Sequence, residues 1–159
     1  MDFWLLSPEL SLCGVALVVI LLDLFIKQKK VLAGISAVGL IIPIALTIAL
    51  WGEQRTSFSG MLVVDEFSLF FKFLILGIAA LVILSSVDYV EKFARFQGEY
   101  YALILLSAGG LVLMASTGEL ISIYISLELA SISLYALASF LKDTKSSEAG
   151  LKYMLLGAI

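Results

Sequence analysis

The sequence predicts an all-α fold: a polytopic transmembrane helix bundle with five full spans, the start of a sixth, and the N-terminus outside. Three observations predict it. Hydrophobic residues make up 62% of the 159-residue chain, and the mean hydropathy is +1.11, outside the range of water-soluble domains. Apolar runs long enough to cross about 30 Å of hydrocarbon recur with short polar breaks. Basic residues gather in alternate breaks.

The first run extends from about Leu10 to Ile26, with Pro8 near its start, where a missing N–H does no harm. The second, Val31 to Trp51, contains Pro43, which should kink it by removing one helical hydrogen bond. A longer loop leads to the third, Phe67 to Val87. The fourth, about Tyr100 to Ser116, carries Gly109-Gly110, small residues that let helices approach closely. The fifth is Glu119 to Leu141, and a sixth starts near Ser147 and reaches Ile159 incomplete, too short to span. The expected organisation is one membrane domain, residues 1–159, forming part of a larger subunit.

Loops after the first, third and fifth helices hold Lys27, Lys29 and Lys30, then Lys92 and Arg95, then Lys142 and Lys145. Those on the other side hold only Arg55. Positive charge marks the cytoplasmic side, so the N-terminus is expected outside.

Composition excludes several classes. Cys13 is the single cysteine and there is no histidine; a disulfide framework, an iron–sulfur site, His-ligated haem and the usual zinc sites are excluded within the chain. No Gly-rich phosphate loop follows a strand, and no nucleic-acid partner is expected. Met1-Asp2-Phe3-Trp4 lacks the basic start of a secretory signal, so the first helix should be retained.

Glu128 is the most informative residue. It sits mid-way along the fifth helix, about 14 Å into a core roughly 30 Å thick. A charge there is costly and persists only when paired, hydrated or functional. At 100° per residue, Tyr124, Ser131, Tyr135 and Ser139 share its face, a ladder of hydroxyls around a carboxyl. Ser122, Ser126 and Ser133 lie nearly opposite, so neither face suits lipid and the helix should be central in a bundle. The plain alternative is a carboxyl that ties two helices together. Lys72 lies one to two turns into the third helix; its stem could snorkel to the interface, or its charge could take part in transfer. Asp23 is expected to pair with Lys27 at i+4. Lys152, in the sixth helix, should be offset from Glu128 by roughly 10 Å along the membrane normal, which favours a water-bridged relay over direct pairing. Burial disfavours charge and a nearby opposite charge favours it. A site held between the two can change protonation when a neighbouring charge moves, which a proton pump requires.

Three motifs carry a resemblance: Ser126-Leu-Glu128-Leu-Ala-Ser-Ile-Ser-Leu-Tyr135, Lys145-Ser-Ser-Glu-Ala-Gly-Leu-Lys152-Tyr153-Met, and Asp65-Glu-Phe-Ser-Leu-Phe-Phe71-Lys72. On these the chain resembles the antiporter-like membrane subunits of respiratory complex I, most like the subunit N branch, whose organellar counterpart is NADH dehydrogenase subunit 2. The resemblance implies a proton-translocating membrane-arm subunit, with Glu128 as a proton-channel carboxylate and Lys152 on the same hydrophilic axis. It implies that the family continues through further helices, including a broken seventh helix bearing the lysine that partners the carboxylate. It implies no cofactor in this chain, with FMN, iron–sulfur clusters and quinone elsewhere in the parent complex. The implied partners are the other membrane subunits of that complex, the lipid bilayer and, through the complex, the quinone pool; the implied location is the cell (inner) membrane, multi-pass. The alternative is a subunit of a multi-subunit sodium/proton antiporter or of a membrane-bound hydrogenase, which share the fold.

Overall fold

The computed structural model describes residues 3–26, 30–91 and 96–157. A 3-10 turn, Phe3–Leu6, runs into α1 (Ser7–Phe25); α2 (Lys30–Gly39) and α3 (Ile41–Ala49) follow as one interrupted span. Strands β1 (Arg55–Ser57) and β2 (Leu62–Val64) precede α4 (Glu66–Ser85) and the short α5 (Val87–Val90). The chain continues as α6 (Gln97–Met114), α7 (Leu120–Ala138) and α8 (Thr144–Gly157). Five of these segments are long and apolar enough to cross a membrane, so the chain is a multi-pass membrane protein.

Helix α6 is the hub. Most of its length is buried, and α1, α4 and α7 all pack on it. Small residues set these distances. A Cβ on Gly110 would lie 2.6 Å from the Ala130 backbone nitrogen of α7, and one on Gly98 would overlap Asp23 of α1. Gly39 likewise presses on Val15, joining the second span to the first. The expected Gly109-Gly110 contact therefore runs mainly through Gly110. The large apolar residues left exposed, such as Leu17, Leu24, Ile78 and Leu81, suit hydrocarbon and not water.

Four expectations are corrected. The first helix starts at Ser7 instead of Leu10, with Pro8 in its first turn, which brings Glu9 inside the helix. The second span breaks at Leu40, between α2 and α3, not at Pro43 itself. Proline cannot donate to the carbonyl four residues earlier, Gly39, so the interruption falls one turn before it. The loop before α4 is an antiparallel hairpin, with Arg55 opposite Val64 and Ser57 opposite Leu62. Gly60, at φ 93°, takes the left-handed conformation that its turn needs. Val63 N–H donates to the Ser116 carbonyl and Gly118 N–H to that of Met61, pinning the hairpin to the end of α6. Finally, α6 and not α7 is central within the described chain. Helix α7 buries only the stripe Ser126, Ala130 and Ser133. The Ser126 and Ser133 hydroxyls donate to the carbonyls of Ser122 and Leu129, so this stripe needs no polar partner.

Two helices begin with the same device. Asp65 accepts from Ser68 N–H at 2.7 Å while its own N–H donates to Ser68 Oγ at 3.0 Å. Asp143 and Ser146 repeat the exchange at the start of α8, at 2.6 and 3.2 Å. Each Asp-x-x-Ser satisfies two donors that a helix start leaves open.

Candidate functional site

Glu128 lies near the middle of α7, half-buried, on a cleft of ≈ 540 Å³ between α7 and α8. Tyr135, Ser139, Ser147, Gly150 and Met154 line the same cleft. Gly150 of α8 lines it, and two glycines of α8 let that helix press against α7. A Cβ on Gly150 would lie 2.6 Å from Ser139 Cβ, and Gly157 sits directly against the Tyr135 hydroxyl. Tyr135 also stacks edge-on to Tyr153, with ring centroids 4.8 Å apart. Among the described residues Glu128 makes no hydrogen bond or ion pair. Its carboxyl shares the cleft with the Tyr135, Ser139 and Ser147 side chains.

The residues singled out from sequence are only partly brought together. Tyr135 and Ser139 share the cleft with Glu128, and Ser147 joins them from α8, a member that the one-helix wheel could not supply. Tyr124 is 63% exposed on the outer face of α7 and Ser131 does not line the cleft. Lys152 points away, exposed, and pairs with Glu148 one turn earlier at 2.5 Å. Asp23 packs against Gly98; its expected partner Lys27 lies outside the described residues.

Lys72 overturns the snorkelling expectation. It is fully buried, and its Nζ donates to Glu9 Oε1 at 2.7 Å. Glu9, 6% exposed, lies in the first turn of α1, which begins three residues before the expected start at Leu10. The signal was present: Pro8-Glu9 is a first-turn pattern, with an acid where the helix dipole favours it. The pair lies between two apolar clusters. Leu5 and Leu69, one turn toward the hairpin, belong with Leu50, Leu62 and Val64. Leu12 and Leu76, one turn the other way, belong to the main core. Among the described residues no group of three or more His, Cys, Asp or Glu could hold a metal.

The comparisons agree with this architecture. The family described as "NADH:quinone oxidoreductase/Mrp antiporter, TM" matches residues 116–159, the segment that contains Glu128 and Lys152. A solved structure of respiratory complex I from Thermus thermophilus with bound Aureothin superposes with a TM-score of 0.72 at 30% identity, covering 95% of this chain and 33% of that one. Fold and site thus define a membrane subunit resembling the antiporter-like subunits of complex I. Within that class, the chain is similar to NADH-quinone oxidoreductase subunit N. It is 48% identical to the protein of that name from Dehalococcoides mccartyi, over 98% of this chain and 32% of the relative. It is 40% identical to the one from Trichlorobacter lovleyi, over 96% and 32%. The chain therefore spans about a third of the length of the curated relatives it matches.

Proposed function

We propose that this chain is part of a proton-translocating membrane-arm subunit of NADH-quinone oxidoreductase, and that Glu128 is its proton-transfer carboxylate. The observation that carries the reading is a mid-helix carboxyl with no hydrogen-bond or ion-pair partner among the described residues, on a largely apolar cleft that three hydroxyls, of Tyr135, Ser139 and Ser147, also line. The names of the similar proteins support it. Tyr135 and Ser139 lie beside the acid, and Tyr124 and Ser131 on the same helix. Lys152, paired with Glu148, and Lys72, paired with Glu9, stand apart from this cleft, and a proton-transfer role for either lysine is part of the proposal. Quinone reduction, with FMN and iron–sulfur clusters, takes place elsewhere in the complex. Other membrane subunits and lipid cover the exposed apolar faces, and the lysine-rich loops face the cytoplasm. The test is Glu128→Gln and Glu128→Asp in the full-length subunit, in inverted membrane vesicles with a pH-sensitive dye. Glu128→Gln should assemble and lose most NADH-driven pumping, and Glu128→Asp should keep more because it keeps a titratable group. Full pumping by Glu128→Gln would overturn the assignment.

A second reading follows from the family description, which also covers Mrp antiporters: a subunit of a multi-subunit sodium/proton antiporter. Pumping that requires Na⁺ in the vesicle medium would favour the antiporter. Pumping driven by NADH without Na⁺ favours the first reading.

A further inference from the structure

Helices α4 and α6 leave a groove on the outside of the bundle. Phe67, Phe71 and Ile75, four residues apart, supply one stripe of α4. Leu111 and Met114 line the same groove from α6. Phe67 is exposed and Phe71 and Ile75 are half-buried, so this stripe of a spanning helix is open to the surroundings. The end beside the hairpin is polar: Asp65, Ser116 and Thr117 line the same cleft of ≈ 390 Å³. Beyond Ile75 and Leu111, which belong to both, the groove continues as an apolar cleft of ≈ 270 Å³ lined by Ile78 and Ile104. Asp65 and Ile75 lie ten residues apart. That is about 15 Å along a helix, half of a hydrocarbon core roughly 30 Å thick. A polar rim over an apolar slot one leaflet deep matches the form of a lipid, with its headgroup at the rim and an acyl chain in the slot.

Two atoms at the rim are unused. Asp65 accepts the Ser68 N–H at Oδ1, and among the described residues its Oδ2 accepts no hydrogen bond. Ser116, 1% exposed, buries its Oγ with no partner among the described residues. A buried polar atom left open in a native fold marks a place where something else binds. Charge selects the headgroup. This end of the bundle carries Asp65, Glu66 and Glu119, while Arg55 pairs with Glu53 at 2.7 Å. Such an excess of acids repels an anionic headgroup and attracts an ammonium. A carboxylate oxygen takes a short, strong hydrogen bond from the N–H of a primary ammonium, which a quaternary choline cannot donate. We propose that the α4–α6 groove binds a phospholipid with an ethanolamine headgroup. Its ammonium sits on Asp65, a headgroup or glycerol oxygen takes the Ser116 hydroxyl, and one acyl chain lies along Phe71, Ile75 and Leu111. The site needs the membrane-spanning fold and not the proton-transfer reading of Glu128.

The test is photocrosslinking in vesicles that hold the assembled complex with the full-length subunit. The vesicles contain phosphatidylethanolamine, phosphatidylcholine and phosphatidylglycerol in equal amounts. One of the three in turn carries a diazirine on its acyl chain, and labelled positions are mapped by mass spectrometry. Labelling of Phe71, Ile75 or Leu111 that is several-fold stronger from the ethanolamine lipid is the expected result. Asp65→Asn keeps a helix cap and removes the charge, so it should bring the three lipids to equal labelling there. Labelling of an exposed residue elsewhere, Leu24 on α1, should not change in that variant. Equal labelling of the groove by the three lipids in the wild type, or stronger labelling from either of the other two, assigns it to bulk lipid and overturns the proposal. No labelling of the groove while Leu24 is labelled means that protein covers it, which also overturns the proposal. A preference that survives in Asp65→Asn overturns the role given to the carboxylate. Should Asp65→Asn fail to assemble, the wild-type comparison decides alone.

Discussion

Lys72 Nζ lies 2.7 Å from Glu9 Oε1, joining residues 63 positions apart in a layer where the lysine is fully buried. Removing one partner leaves an uncompensated buried charge, which typically costs about 3–5 kcal/mol. Removing both at once leaves none.

Glu9→Ala in the full-length subunit should therefore lower its thermal midpoint in detergent markedly, while Glu9→Gln/Lys72→Met should recover most of the loss. The measurement is fluorescence-detected size exclusion after a heating series. Coincident midpoints for Glu9→Ala and wild type would show that the pair is hydrated enough to be energetically neutral.

The α7–α8 contact depends on Gly150, where any Cβ meets Ser139. Gly150→Val should force α8 off α7, widen the cleft beside Glu128, and cost roughly 1–3 kcal/mol by overpacking. Gly77, with open space where its Cβ would be, is the control: Gly77→Ala should be neutral or slightly stabilising. Pumping by assembled complex is the readout, and equal activity of the two variants would contradict the close-packed interface.

The cap on α8 should depend on pH. The Ser146 backbone N–H, and next its hydroxyl, hold the Asp143 carboxyl below its ordinary value of 3.8. A carboxyl lowered in the folded state stabilises it above that ordinary value, and the contribution is lost as pH falls through the lowered one. Asp143→Ala should thus speed amide hydrogen exchange at the first turn of α8 near neutral pH. Asp143→Asn, a cap without a charge, should protect those amides with no acid transition. Unchanged exchange in Asp143→Ala would remove the cap from the account.

Orientation has its own test. In a background with Cys13 replaced by Ser, cysteines at Gln28 and Gln54 should label oppositely with a membrane-impermeant thiol reagent, Gln54→Cys from outside. Labelling of Gln28→Cys from outside would invert the bundle.

The sequence by itself determined the helical class, the number of apolar segments long enough to span and the mid-helix position of Glu128. Each depends on local quantities: length of apolar runs, charge asymmetry of loops, and angular position around one helix. Helix starts were less legible, because Pro8-Glu9 reads equally as a loop end or a first turn until Glu9 is seen buried. The two Asp-x-x-Ser caps are local patterns that the sequence alone carries. Only the tertiary structure decided that Lys72 meets Glu9, that Lys152 turns to Glu148, that Ser147 joins Glu128, and that α6 is the hub. Apart from Lys152–Glu148, an i,i+4 pair within α8, these depend on segments distant in sequence, brought together where Gly98, Gly110 and Gly150 let backbones approach. No periodicity along a single helix encodes which face of another helix it will meet.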